Sequence, residues 1–220
     1  AGGRDPLEAI LGGPGSQAGP EAVAAATAEY GLEQPVLVQY LAQLGRVARL
    51  DLGTSYSRRV PVSDLVGEAL PPTLVLAVGA LALAWVLALI VALAAVRARG
   101  PLGRACAATL RGMEVVATVT PHFWLGAMLI ALFAAGLGWL PATSTPGSLA
   151  GLVLPTITLA VPLAGFLGQL MRDGLEEAER APFATTSRAR GSSPTRVLRR
   201  HTLRHASLPV VALSGWAFGS

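Results

Sequence analysis

The sequence LVLAVGALALAWVLALIVALAAV at residues 74–96 decides the fold class of this chain. It contains no charged side chain and no hydroxyl or amide side chain. A helix needs about 20 apolar residues to cross the hydrocarbon core of a bilayer. Two more stretches reach that length, from about Val115 to Leu140 and from about Leu149 to Met171. Three such stretches in one small chain predict insertion in a membrane rather than burial in a soluble core.

The composition agrees with a membrane protein and argues against a nucleic-acid partner. Of the 220 residues, 52% are hydrophobic and 14% are charged, whereas soluble domains carry about 25% charged residues. The net charge is +4, and most arginines lie at 97–111 and 172–207, next to apolar runs. Proteins that bind nucleic acids combine basic patches with stacking aromatics, yet these two stretches contain one aromatic residue, Phe183. We therefore expect lipid, and no nucleic acid, as a partner.

The positions of the arginines predict the orientation in the membrane. The connection 97–111 has four Arg and no acid, and the segment 172–207 has eight Arg against four acids. The positive-inside rule places both in the cytoplasm and the uncharged connection 141–148 outside. Residues 1–73, with five Arg against eight acids, then form an extracytoplasmic helical segment, and residues 74–220 form the transmembrane domain.

Both ends of the sequence look cut, because the chain does not begin with Met and stops inside an apolar stretch. We expect residues 208–220 to start another span. Proline and glycine mark helix ends in the outer segment. They predict three short helices: from Pro20 to Gly31, from Pro35 to the sequence DLG at 51–53, and from Ser63 or Asp64 to Pro71-Pro72.

Small residues recur along the first span. Ala80, Ala84, Ala88 and Ala92 are four residues apart, and such spacing lets two helix backbones approach closely in a membrane. The pattern favours a helix-packing face, although alanine is also abundant throughout the chain.

The segment 172–207 is too polar to span a membrane and carries clear helix boundaries. Pro182 can begin a short helix and Gly191 can end it in the left-handed conformation. Ser193 is predicted to cap a second helix that starts at Pro194 and ends at Pro209. Its Arg196, Arg200 and Arg204 share a face, which suits anionic lipid head groups but is also compatible with an ordinary cytoplasmic loop.

This segment resembles the cytoplasmic EAA loop of ABC importer permeases. The sequence EAERAPFATTSRARG at 177–191, followed by SPTRVLRRH at 193–201, is similar to the loop of the dipeptide, oligopeptide and nickel family. The outer sequences YGLEQP (30–35) and DLGTS (51–55), and TPHFWLG (120–126) with GWLP (138–141) in the second span, resemble the same family.

The resemblance implies an all-α polytopic bundle of the type I ABC importer permease kind, in the bacterial inner membrane, with roughly six spans in the intact protein. It implies that the chain forms part of the path for peptides or similar small solutes. The implied partners are a second homologous permease subunit, two cytoplasmic ATPase subunits and an extracytoplasmic solute-binding protein. The implied ATPase-coupling residues are Phe183, Thr185, Thr186, Ser187, Arg188, Ala189, Arg190 and Gly191.

Polar residues inside the spans are candidates to line the path, because an intramembrane polar group normally faces the protein interior or water. For each threonine, a hydroxyl bonded to its own helix is an equally good explanation. For His122, a metal or proton site is less favoured than an interfacial polar residue beside Pro121. The candidates are Thr118, Thr120, His122, Thr156, Thr158 and Gln169.

We expect no catalysis, cofactor or metal in this chain. It has no lysine, and therefore no G-x-x-x-x-G-K-[ST] phosphate loop, so ATP hydrolysis belongs to partner subunits. Glu114 is a lone carboxylate at a predicted membrane edge, and His201 and His205 lie among arginines rather than beside a nucleophile. An intramembrane enzyme and a passive membrane scaffold are the alternative hypotheses.

Overall fold

The computed structural model describes Glu21, Val23, Thr27, Arg58 and residues 34–55, 60–98, 100–145 and 148–217. Over these ranges the regular structure is helical, and the only extended pairing among them is an isolated bridge between Thr54 and Pro61. The chain forms two compact units, Ala1–Pro72 and Thr73–Ser220.

The first unit contains helix α1, Val36–Ala48. It starts after the extended Pro35 and is followed by the left-handed Leu50 and Gly53, which confirms the helix predicted between Pro35 and DLG. None of its residues is buried, and its apolar Leu37, Leu41 and Leu44 are exposed. The ends predicted at Pro20 and Gly31 lie outside the described residues, as does most of YGLEQP.

Helix α2 runs without interruption from Val62 to Arg97. The prediction that Pro71-Pro72 would end a helix is wrong, because both prolines lie inside α2. Proline holds φ near −65°, a helical value, so a helix can continue through it, although the missing N–H and the clash with an earlier carbonyl make this unfavourable. With a rise of 1.5 Å per residue, α2 is about 54 Å long, more than the ~30 Å hydrocarbon core.

The second predicted span, 115–140, is broken at Thr120 and Pro121. Helix α3, Gly100–Val119, ends there, and helix α4, His122–Leu129, continues as a π-helix over Ile130–Gly136. The two parts differ in direction by 103°. Proline disfavours the helical conformation of the residue before it, and Pro121 itself is extended, which accounts for the break.

Helix α5, Leu149–Arg180, is the central element of the second unit. Ser148 caps it by accepting a hydrogen bond from the Gly151 backbone N–H. Pro155 and Pro162 lie inside the helix and do not end it. By length and composition, α2 and α5 can each cross a membrane, and the bent α3–α4 pair makes three spans if it is counted as one.

The small residues of α2 form the packing face that the sequence predicts. Ala80, Ala84, Ala88 and Ala92 are all buried in one cluster with residues of α5, including Leu167 and Met171. Close approach is direct at Gly168 of α5, where an added Cβ would lie 3.7 Å from the Cα of Ala88. The core of this unit therefore consists of closely packed helices with small side chains between them.

Three helical segments follow α5. They are helix α6, Pro182–Ala189; helix α7, Pro194–Val197, which continues as a π-helix over Leu198–Thr202; and helix α8, Leu203–Ala217. The predicted end at Pro209 is wrong, since Pro209 lies inside α8. The helical run therefore passes from the polar segment directly into the apolar stretch that begins at Leu208.

Candidate functional site

Helix α6 begins and ends where its sequence predicts. Pro182 occupies its first turn, where the missing backbone N–H costs nothing. Gly191 follows the helix with φ of +79°, in the left-handed region that glycine adopts without strain. The N–H of Gly191 donates to the carbonyl of Arg188, and the N–H of Ser192 donates to that of Ser187. These bonds close the C-terminus of a short, well-defined helix.

Contacts on one side fasten α6 to the rest of the unit. Ala184 is fully buried, and the Phe183 ring lies 6.5 Å from that of His201 and 5.7 Å from that of His205, between centroids. The guanidinium of Arg188 donates to the backbone carbonyl of Glu179 at 2.7 Å. Sequence reasoning did not identify these anchoring roles, which depend on contacts between different helices.

Most residues of α6 are nevertheless exposed, and Arg188 and the following Arg190 make this region basic. Thr185, Thr186, Arg188, Ala189, Arg190 and Gly191 are exposed, as is Phe183 in part, and Ser187 is half-buried. No acidic residue occurs from Ala181 to Ser220. Among the described residues, none of the six arginines in that stretch forms an ion pair.

A hollow beside α6 extends this basic surface. It has a volume of about 450 Å³ and is lined by Ser193, Thr195, Arg196, Arg199 and Arg200. We call α6, Gly191 and these hollow-lining residues the basic surface. Its charge makes it complementary to an acidic partner.

A second cavity lies among the helices of the transmembrane unit. Its volume is about 580 Å³, and most of its wall is apolar, with Phe166 and Trp216 at 6.1 Å between ring centroids. Two polar candidates from the sequence line it, Thr118 and His122. The remaining lining residues are Ala77, Ala80, Leu81, Leu159, Pro162 and Leu163.

The other path candidates lie apart from the lining of this cavity. The hydroxyls of Thr120 and Thr158 donate to carbonyls of their own helices, those of Val116 and Leu154. Thr156 lies against α2, where a Cβ on Gly79 would be 3.9 Å from its methyl carbon. Gln169 Nε2 donates across helices to Thr118 Oγ1 at 2.9 Å. The assignment of these residues to a path stays a prediction.

The carboxylate of Glu114 accepts a hydrogen bond from Arg172 of α5. The Arg172 Nη1–Glu114 Oε2 distance is 3.0 Å, and the two side chains are only 11% and 4% exposed. With Thr118 and Gln169 they form what we call the inter-helix polar cluster, between α3 and α5. The partners are 58 positions apart in sequence, so no local pattern could have paired them.

Similarity to known proteins agrees with this architecture. An all-helical protein with two or three apolar spans is a polytopic membrane protein. Residues 86–220 match the model of the family described as binding-protein-dependent transport system inner membrane component. The chain belongs to this family, and its place is therefore the bacterial inner membrane.

Two relatives of this chain are named as permease proteins of transport systems. The glutathione transport system permease protein GsiC of Salmonella paratyphi A is 34% identical over 210 residues. A putative peptide transport system permease protein of Brucella suis biovar 1 is 33% identical over 214 residues. The alignments cover 92% and 93% of this chain and 66% of each relative. The chain thus spans just under two thirds of the length of these proteins.

Proposed function

We propose that this chain is the larger part of a permease subunit of an ABC importer, and that it forms part of the path for peptides or similar small solutes. Membership of the inner membrane component family supports the transport role. The names of the relatives, which refer to glutathione and peptide transport, support the solute class. ATP hydrolysis then occurs in partner subunits, as the lack of a phosphate-binding loop in this sequence suggests.

The observation that carries the proposal is an exposed, capped, basic helix directly after α5, the central helix of the second unit. Helix α6 follows α5 after a single residue, Ala181, so a force applied to α6 acts on the end of α5. The acid-free basic surface suits contact with an acidic region of an ATPase subunit. We propose Phe183, Thr185, Thr186, Ser187, Arg188, Ala189, Arg190 and Gly191 as the contact and coupling residues.

The proposed assembly follows from this role. It contains a second homologous permease subunit, two cytoplasmic ATPase subunits and an extracytoplasmic solute-binding protein. The excess of arginine at 97–111 and 172–207 supports a cytoplasmic position for both segments under the positive-inside rule. Residues 1–73 are then the extracytoplasmic segment, on the side where a binding protein delivers its solute.

The cavity among the transmembrane helices is the best candidate for a portion of the path. Its apolar wall suits the side chains of small peptides, and His122 adds a hydrogen-bonding group for a peptide backbone or terminus. Thr120, Thr156, Thr158 and Gln169 remain proposed path residues that would become accessible in another state of the transport cycle.

The test of coupling is Gly191→Val in the complete transporter. A β-branched residue in the left-handed region costs about 1–3 kcal/mol, and no atom lies within 4 Å of the added Cβ, so the effect arises in the backbone. We expect the end of α6 to change shape, with ATP hydrolysis retained and solute uptake lost. Gly191→Asn is the matched control, because asparagine tolerates this conformation.

Uptake and ATP hydrolysis are measured on the same membranes, together with the amount of assembled complex. Uncoupled hydrolysis in Gly191→Val and near-normal uptake in Gly191→Asn would support the proposal. Normal uptake per ATP hydrolysed in Gly191→Val would refute the coupling role. A chain that assembles with no ATPase subunit would instead be a passive membrane scaffold.

A further inference from the structure

The inter-helix polar cluster lies near the end of α5, which precedes the basic surface, and near the end of α3, which precedes the bend. Arg172 lies about two turns before the end of α5, after which α6 begins. Glu114 lies about one and a half turns before the end of α3, where the chain bends by 103° at Thr120 and Pro121. The ion pair therefore links the helix that precedes the basic surface to the helix that precedes the bend.

The helices approach unusually closely at this point. An added Cβ at Gly165 of α5 would lie 2.6 Å from the carbonyl oxygen of Glu114, and one at Gly168 would lie 3.0 Å from Glu114 Oε1. Thr118 Oγ1 donates to the Glu114 carbonyl and accepts from Gln169 Nε2. Side-chain and backbone contacts thus fix the register of α3 against α5 at successive turns.

The ion pair is better suited to fixing register than to adding stability. Replacing a buried ion pair by apolar residues is often neutral or stabilising, whereas removing one partner is strongly unfavourable. Glu114 Oε1 also has no hydrogen-bond partner among the described residues, so only one carboxylate oxygen is used. A second ion pair between the same helices, Arg111–Glu176, is largely exposed, at 53% and 35%, and exposed pairs contribute little.

We propose that Glu114 and Arg172 are positioning residues that hold α3 and α5 in one register, so that a displacement of α6 moves both helices and the bend together. This inference rests on the proposed function, because it requires α6 to receive the force from the ATPase. The pair acts through helix position and contacts neither the solute nor the nucleotide.

The experiment uses the complete transporter and measures the ratio of solute taken up to ATP hydrolysed. In the double variant Glu114→Leu/Arg172→Met no charge is left buried, so the amount of complex should be retained. Substitutions within a coupling network typically change the coupling between two sites by a few-fold or more. We therefore expect the ratio of solute taken up to ATP hydrolysed to fall about fivefold. Glu114→Gln keeps the shape and one acceptor for Arg172, which also contacts Asp173 at 3.3 Å. Because it removes one charge of the buried pair, we expect less assembled complex and a smaller fall in the ratio.

Two variants measured in parallel separate the possible failures. Arg111→Gln removes the exposed pair on the same two helices and should leave the ratio unchanged. Gly191→Val tests the coupling surface itself. If Gly191→Val lowers the ratio while both Glu114 variants keep the normal value, the positioning role is refuted and the proposed function stands. If Gly191→Val leaves the ratio unchanged, the proposed coupling role of α6 fails, and this inference fails with it.

Discussion

At some positions of this protein, the absence of a side chain on a glycine allows two helix backbones to come into contact. At Gly165 the backbone of α3 is so close that an added Cβ would lie 2.6 Å from the carbonyl oxygen of Glu114 and 2.9 Å from the N–H nitrogen of Thr118. Both are backbone atoms, which cannot move without shifting the whole helix. Gly112, on α3 itself, has no atom within 4 Å of the corresponding position. Gly165 is therefore needed for the close packing of α3 against α5, whereas Gly112 is not, although both lie inside helices.

We predict that Gly165→Ala destabilises the protein and that Gly112→Ala does not. Overpacking at Gly165 should cost about 1–3 kcal/mol, while alanine at Gly112 should be neutral or up to about 1 kcal/mol stabilising through its helix propensity. Thermal unfolding of the purified proteins in lipid nanodiscs measures the difference. Equal unfolding temperatures for the two variants would show that α3 and α5 do not approach as described.

Residues whose role depends on their own backbone were predictable from sequence, and those that depend on a distant partner were not. The conformational preferences of Pro182 and Gly191 are properties of these residues themselves. Helix α6 starts at the first and ends just before the second, as predicted. Glu114 gave no local sign of its partner, because Arg172 lies on another helix. Phe183 was a candidate for contact with another subunit, yet its ring also packs against His201 and His205.

At the scale of the helices, proline has opposite outcomes at different positions. Pro71, Pro72, Pro155, Pro162 and Pro209 lie inside helices. By contrast, helix α3 ends directly before Thr120 and Pro121. There the carbonyl of Val116 accepts from both the N–H and the hydroxyl of Thr120, which satisfies the end of α3. The sequence cannot distinguish these cases, since the result depends on which other groups satisfy the freed carbonyls.

The alanine face of α2 leads to a prediction about helix packing. Ala84 is completely buried, whereas Val86, two positions along the same helix, is 54% exposed. We predict that Ala84→Leu separates α2 from α5 and costs about 1–3 kcal/mol. Val86→Leu, on the outward face, should change stability by no more than about 0.5 kcal/mol.

The unfolding temperature of each variant in nanodiscs gives the result. A lower unfolding temperature in Ala84→Leu alone would support the packing face. Equal decreases in both variants would mean that α2 has no preferred buried side. The four-residue spacing of alanine predicted this face correctly, but which helix it contacts became clear only from the assembled core.

At the scale of the whole molecule, acidic and basic residues are concentrated in different parts of the chain. Acidic residues lie mainly in residues 1–73, and none occurs from Ala181 to Ser220, where six arginines remain without ion pairs in the described residues. Composition and charge thus predicted the membrane class and the position of the basic surface. They could not predict that α2 continues through Pro71 and Pro72 or that the chain bends at Thr120 and Pro121.

The most direct measurement is a cross-link between α6 and an ATPase subunit in the assembled transporter. Thr186 is exposed on α6, and Ser144 is exposed in the connection before α5. Each is changed to cysteine after the free, exposed Cys106 has been replaced by alanine. We predict that Thr186→Cys cross-links to the ATPase subunit and that Ser144→Cys does not. An intact complex in which Thr186→Cys forms no such link, or is labelled by an impermeant reagent from outside the cell, would contradict it.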